Sequence, residues 1–183
     1  MRIIGGKLKG RSIVPPAGYS ARPTTDFARE GLFNVLDSEY EFEGLTVLDL
    51  FGGTGAVSME FASRGAREVY CVEMAPANAS FIRSQVRKLG LDSTVKVVRH
   101  NVFDFLDICR IKADIVFADP PYALDNLASL PDLVLGRDIL HPEGYFILEH
   151  PDTYSFTGDP RFVKEKKYGN VHFSFFIKSS ENR

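Results

Sequence analysis

Asp119-Pro120-Pro121-Tyr122 is the segment of this chain best suited to do chemistry. It follows a short apolar run, Ile115-Val116-Phe117-Ala118, that reads as a buried parallel strand. An acid, two prolines and an aromatic ring therefore fall at the carboxyl end of a strand, where open α/β sheets bind ligands. Asp119 supplies an acceptor carboxylate. Each proline fixes its own φ and restricts the residue before it, so the Pro120 carbonyl is held as a second acceptor outside strand pairing. Tyr122 offers a flat face for a nucleobase, a stack worth roughly 1–3 kcal/mol per base. Two acceptors beside a stacking ring suit a planar exocyclic amine, such as that of guanine, adenine or cytosine. A Pro-rich turn with a helix-capping Asp would use the same four residues, so the surrounding chain has to decide.

A second constellation lies upstream, at Asp49-Leu50-Phe51-Gly52-Gly53-Thr54-Gly55. Gly53 and Gly55 permit a tight strand-to-helix turn with close backbone approach to a ligand. The helix N-terminus behind them favours a negative group. Glu73 ends the next strand, 24 residues after Asp49, where an acid that binds ribose hydroxyls is expected. Turn and acid together point to an adenosine-containing cofactor. The dinucleotide fingerprint is incomplete, because Ser58 stands at its third glycine position, and the absence of a following phosphate-binding Lys excludes a P-loop.

These residues need a frame that sets them along one sheet edge. From residue 45 onward strands and helices alternate. Strands are expected over 47–51, 68–73, 95–99, 115–119 and 145–149, with helices over 55–64, 76–89, 102–108 and 125–136. Residues 161–168 and 171–178 flank Gly169-Asn170 and read as an antiparallel hairpin. Repeated βα units imply a mostly parallel, doubly wound sheet. Thr24-Thr25-Asp26 offers N-caps for a helix over 26–38. Before it, Ile3 to Val14 reads as two short strands around a Gly-Lys turn, a basic hairpin outside the main core. No repeat or linker divides the chain, so residues 1–183 are expected to form one domain with 1–20 as a basic hairpin extension.

Composition is that of an ordinary soluble protein, with 44% hydrophobic and 25% charged residues. No apolar run approaches a membrane span or a signal peptide. Two distant cysteines, Cys71 and Cys109, lack metal-ligand spacing, so a reduced cytoplasmic protein with no metal site is expected. The four histidines are scattered and read as structural. Net charge is −2, but its distribution is uneven: residues 1–25 carry +5 and no acid. A second basic cluster lies at Arg161, Lys164, Lys166 and Lys167. Such patches are footprints for polyanions.

The pattern Asp49-x-Phe51-x-Gly53-Thr54-Gly55 resembles motif I of class I S-adenosylmethionine-dependent methyltransferases. Asp119-Pro120-Pro121-Tyr122 is similar to the signature of the branch that methylates amino groups. Arg2-Ile3-Ile4-Gly5-Gly6-Lys7-x-Lys9-Gly10-Arg11, then Arg22-Pro23-Thr24-Thr25-Asp26-x-x-Arg29-Glu30 and Lys167-Tyr168-Gly169-Asn170, extend the resemblance to the RsmD family over nearly the whole chain. That bacterial family methylates guanine N2 in 16S ribosomal RNA, with guanine 966 the family expectation.

The resemblance implies a Rossmann-like class I methyltransferase fold: a seven-stranded, mostly parallel, doubly wound sheet with an antiparallel C-terminal strand and an N-terminal β-hairpin. It implies S-adenosyl-L-methionine as cofactor, held by Asp49, Phe51, Gly53, Thr54, Gly55, Glu73, Asn101 and Val102. Family members carry Asp at the Asn101 position, and the Asn101 carbonyl is expected to serve the adenine amine less strongly. Asp119, Pro120 and Tyr122 would carry catalysis. Lys7, Lys9, Arg11, Arg22 and Thr24 would meet RNA, with Arg22 and Thr24 at the active cleft. The implied partner is 16S rRNA or the small ribosomal subunit, and the implied state is a cytoplasmic monomer with no membrane association. The nearest alternative is an adenine-N6 or cytosine-N4 methyltransferase of DNA or another nucleic acid, which shares the amine logic. Such enzymes usually carry an added recognition region for which this chain has little room.

Overall fold

The computed structural model describes residues 1–21 and 23–178. Seven strands form one sheet in the order β3-β2-β1-β4-β5-β7-β6. Here β1 is Thr46–Leu50, β2 Glu68–Val72, β3 Val95–Val98, β4 Ala113–Ala118, β5 Leu140–His150, β6 Phe162–Tyr168 and β7 Val171–Phe176. Neighbours among β1 to β5 run parallel, and β7 lies antiparallel to both β5 and β6. The helices are α1 (Asp26–Asp37), α2 (Ala56–Ser63), α3 (Pro76–Lys88), α4 (Val102–Ile108) and α5 (Leu130–Leu135). The doubly wound sheet with antiparallel C-terminal strands agrees with the sequence reading. No helix among the described residues is long and apolar enough to cross a membrane.

Strand order reverses between β1 and β4, and such a switch point opens a crevice at the carboxyl edge. The glycine loop leaves β1 there and Asp119 leaves β4. Period-two alternation explains the two cores. Val47, Ile115, Phe117, Ile147 and Phe173 pack under α1, α2 and α3. Their neighbours Leu48, Leu50, Val116, Phe146 and Leu148 pack under α4 and α5. Asp49 falls on the α2 side of this alternation.

Three segments differ from the sequence reading. The expected helix over 125–136 is a 3-10 turn, Leu127–Ser129, followed by the shorter α5. Pro131 sits in the first turn of α5 and cannot donate backward into an earlier turn, which accounts for the break. Strand β5 begins at Leu140 rather than Tyr145. Its partner register jumps from Ala113↔Leu140 to Ile115↔Tyr145, so His141-Pro142-Glu143-Gly144 is a bulge inside the strand. A Cβ at Gly144 would lie 2.5 Å from the Asp114 carbonyl, so only glycine lets the bulge fold against β4.

The N-terminal hairpin is also reduced. It keeps one antiparallel bridge, Arg2–Ser12, around a 3-10 turn at Gly6–Leu8. Nor does it stand outside the core, since Ile3 and Ile13 are fully buried. Glu60 of α2 explains the docking. Its buried carboxylate accepts the Ile4 N–H at 2.9 Å, the Gly5 N–H at 2.8 Å and the Arg64 Nε–H at 2.9 Å. Arg29 of α1, also buried, lies 3.7 Å from Glu60 and donates to the Arg2 carbonyl and to Asp26. Glycine at position 6 is required, because φ is +74° and a Cβ would strike the Ser63 carbonyl.

Candidate active site

The glycine loop is built by steric exclusion on one side and openness on the other. A Cβ at Gly52 would lie 2.4 Å from the Cys71 sulfur, and one at Gly55 would lie 2.8 Å from Ile82. A Cβ at Gly53 would meet nothing closer than 3.6 Å, so a ligand can approach the backbone there. Gly53 and Gly55 take positive φ, and Phe51, with φ +64°, is the one non-glycine residue to do so among the described residues. Backbone strain of this kind, of order 1–3 kcal/mol, concentrates at ligand sites.

Asp49 and Glu73 hold that loop from beneath. Glu73 accepts the Gly53 N–H at 2.7 Å and the Ala75 N–H at 2.9 Å, one on each oxygen. Asp49 is fully enclosed and accepts the Ser58 hydroxyl at 2.5 Å. Burial, opposed by the Ser58 hydrogen bond and assisted by the negative charge of Glu73, pushes the Asp49 carboxyl from 3.8 up to about 7. Thr54 is buried, and its hydroxyl reaches the Met1 sulfur at 3.6 Å, bringing the chain's first residue to the loop.

Across the crevice stands the acid of β4. Asp119 lines the same cleft as Thr24, Asp49, Phe51, Gly53 and Thr54. The Asp119 N–H donates to the Leu50 carbonyl at 3.4 Å, tying the exit of β4 to that of β1. Thr24 is buried here, in the cleft where the sequence reading placed it. Its hydroxyl lies 2.8 Å from Glu149 Oε2 and 3.2 Å from Asp119 Oδ2. The Tyr122 hydroxyl donates to Glu149 Oε1 at 3.4 Å, leaving the ring partly exposed. Pro120 is buried between them in the chain.

Two residues enter the site that the sequence reading did not select. Glu149, 4% exposed, is the next-to-last residue of β5 and shares the Thr24 hydroxyl with Asp119. Its place at the end of the strand expected over 145–149 was the available signal, and the Ala118↔Leu148 pairing brings it next to Asp119 at the sheet edge. Tyr19 is the other: its hydroxyl donates to the Gly53 carbonyl at 2.7 Å and its ring packs edge-on against Phe81 at 5.0 Å. Burial, then the nearby Glu73 charge, raises its phenol pKa. No local pattern marks Tyr19, which reaches the loop through tertiary folding alone.

The outer positions are mixed. The Asn101 carbonyl caps α4: Oδ1 accepts from Phe103 N at 2.9 Å and Asp104 N at 3.3 Å. Its amide faces the exposed Met74 sulfur at 3.5 Å. Val102 is buried as the first residue of α4, where backbone N–H groups have no intrahelical partner. Lys7, Lys9 and Arg11 are exposed along the N-terminal segment, while Arg22 lies outside the described residues. The second basic cluster is largely paired, Arg161 with Asp159 and Asp132, Lys164 with Glu39, and Lys167 with Glu165. Nor are the histidines all scattered. His150 and His172 are cross-strand partners, hydrogen-bonded to Ser174 at 2.7 Å and to Glu165 at 3.0 Å respectively. Burial holds the His150 pKa below its ordinary value.

Comparison with known proteins agrees with this geometry. A Buchnera aphidicola protein named ribosomal RNA small subunit methyltransferase D is 30% identical over 97% of this chain and 91% of its own. The Bacillus subtilis protein YlbH is 32% identical over 97% of this chain and 99% of its own. A solved structure of a Thermus thermophilus hypothetical protein superposes with a TM-score of 0.85 at 32% identity, covering 98% and 99% of the two chains. The family model described as conserved hypothetical protein 95 matches residues 1–177. By this match and these relatives, the chain belongs to that family, the one that includes the ribosomal RNA small subunit methyltransferase D proteins.

Proposed function

We propose that this protein transfers a methyl group from S-adenosylmethionine to the exocyclic N2 amine of a guanine in small-subunit ribosomal RNA. The observation that carries the reading is one cleft lined on one side by the glycine loop and on the other by Asp119 of Asp119-Pro120-Pro121-Tyr122. The names of the Buchnera relative and its counterparts support ribosomal RNA as substrate.

The residues fit the cofactor. Gly53 leaves room for close approach, while Gly52 lets the loop pack against Cys71 of β2 and Gly55 against Ile82 of α3. A carboxylate offers about four acceptor positions, so Glu73 can serve two backbone N–H groups and still accept ribose hydroxyls. Asp49 brings negative charge beneath a loop that would carry a cationic ligand. Val102 offers its N–H at the carboxyl end of β3 to the adenine edge, and Met74 offers an exposed thioether beside it. When bound, S-adenosylmethionine supplies an electrophilic methyl group.

The chain's own residues would then present the nucleophile. A guanine amine is a poor nucleophile because its lone pair is delocalised into the ring. Asp119 and the Pro120 carbonyl accept the two amine hydrogens and turn the lone pair toward the glycine loop. Tyr122 stacks on the base, and its hydroxyl bond to Glu149 limits how the ring can turn. Alignment supplies much of the acceleration, since well-held reactants reach effective molarities of roughly 10⁵–10⁸ M. Asp119 takes the proton the amine loses. The base must leave its stack to reach the cleft.

The test is transfer of labelled methyl to unmodified small subunits, naked 16S RNA and DNA, followed by nucleoside analysis, with Asp119→Ala alongside. Label in N2-methylguanosine that disappears in the variant, with cofactor affinity retained, is the expected result. Label in methyladenine or methylcytosine would overturn the guanine assignment, and equal loss of turnover and cofactor affinity would overturn the role of Asp119.

A further inference from the structure

We propose that Glu149 is the residue that selects guanine, by accepting the ring N1–H next to the amine held by Asp119. The inference rests on the guanine-N2 reading above and adds a determinant to it. Its basis is the placement of two carboxylates at one sheet edge. Strands β4 and β5 are parallel with Ala118 opposite Leu148, so Asp119, just past the end of β4, and Glu149, the next-to-last residue of β5, follow adjacent partners at the same sheet edge. Thr24 bridges them through one hydroxyl, 3.2 Å from Asp119 and 2.8 Å from Glu149. Glu149 is anchored on its other oxygen by the Tyr122 hydroxyl, the ring assigned to stack on the base. Its backbone is fixed as well, opposite Phe173 of β7.

Catalysis on an amine uses one carboxylate and one carbonyl, and Asp119-Pro120 already supplies both. A second acid beside Asp119 has a use that depends on which base enters. Guanine presents a ring N–H directly beside its amine. Adenine and cytosine present an unprotonated ring nitrogen at the corresponding place, so a carboxylate there meets a lone pair with a lone pair. The pair Asp119 and Glu149 therefore matches the two-donor edge of guanine and rejects the donor–acceptor edges of the other amino bases. A site built to accept one hydrogen bond discriminates strongly against a base that cannot supply it.

The experiment uses subunits reconstituted with 16S RNA that carries guanosine or 2-aminopurine at the methylated position, once that position has been mapped. 2-Aminopurine keeps the N2 amine and stacking face of guanine but replaces the N1–H by an acceptor. Wild-type protein should prefer guanosine by roughly 10- to 100-fold in kcat/KM, the value of a hydrogen bond to a charged group. In Glu149→Gln the carboxamide oxygen can still hold a hydroxyl while its NH2 donates to an acceptor nitrogen. The variant should lose roughly 10- to 100-fold on guanosine, gain or hold on 2-aminopurine, and bind S-adenosylmethionine as wild type does by calorimetry. An equal fall on both RNAs would show that Glu149 only positions Tyr122 and Thr24, and would overturn the inference. Absence of N2-methylguanosine from the wild-type reaction would instead overturn the parent reading, and the inference would fall with it.

Discussion

Replacing Asp49 by Asn should stabilise the protein, and by more as pH rises. Asp49 is fully enclosed at the end of β1, with the Ser58 hydroxyl at 2.5 Å as its partner. Burial lifts its carboxyl from 3.8 to about 7. A raised acid reverses the usual carboxylate effect. Between pH 4 and 7 the folded chain retains a proton that the unfolded chain releases, so stability falls across that window. Each pKa unit corresponds to about 1.4 kcal/mol, so the penalty is of order 2 kcal/mol at pH 5 and of order 4 kcal/mol at pH 8. Asn is isosteric, carries no charge, and its carbonyl can still accept the Ser58 hydroxyl. The gain in urea-unfolding free energy of Asp49→Asn over wild type should therefore grow by roughly 2–3 kcal/mol from pH 5 to pH 8. A gain of equal size at both pH values would refute the argument, as would a variant that is less stable than wild type at pH 8. The same variant should bind S-adenosylmethionine more weakly, because the charge that burdens the free protein is the one a cationic ligand uses.

Three further outcomes follow from the geometry. Changing Lys7, Lys9 and Arg11 together to Ala should weaken RNA binding and lower the magnitude of its log–log salt slope by about 2, at roughly 0.7 per phosphate on single strands; an unchanged slope in a filter-binding titration would remove the N-terminal segment from the RNA interface. Glu60→Ala should cost roughly 3–5 kcal/mol of stability, since it strands the buried Arg29 and frees the Ile4 and Gly5 N–H groups, and limited proteolysis should then cut before residue 15 faster than in wild type. Gly52→Ala should weaken cofactor binding by pushing the loop off the Cys71 sulfur, and adding Cys71→Ala should restore part of the affinity; no restoration in calorimetry would place the damage elsewhere.

How far the sequence carries can be read from particular residues. Asp49, the glycines, Glu73 and Asp119 were legible because each sits at a strand end, and a βα repeat sends all parallel strand ends to one edge. Glu149 also lies near a strand end, yet Ile147-Leu148-Glu149-His150 carries no motif, and its meaning depends on β5 lying next to β4. Tyr19 and the buried side of Thr24 depend on tertiary docking of a segment with no regular structure. The N-terminal run misleads in another way: five basic residues before Asp26 suggest an exposed arm, while the signal for docking is two isoleucines, Ile3 and Ile13, too far apart to show a period. Asn101 shows two uses that sequence position alone does not separate. Its carbonyl can cap α4 or meet an adenine amine, and the helix directly behind it takes the carbonyl.

The two halves of the site are joined by that same N-terminal segment. The cofactor half is set by β1, β2 and α2, through Asp49, Ser58, Glu73 and Gly53. The proposed amine half is set by β4 and β5, through Asp119, Tyr122 and Glu149. Residues before α1 touch both: Met1 and Tyr19 contact the glycine loop, and Thr24 bridges the two carboxylates. The segment that bears Lys7, Lys9 and Arg11 is therefore continuous with the one that completes the cleft. A phosphate backbone engaged by those cations would press on a chain whose other contacts are Gly53, Asp119 and Glu149. Binding energy from RNA remote from the reacting amine can in this way be spent on ordering the site, the use of remote contacts that raises turnover rather than affinity alone.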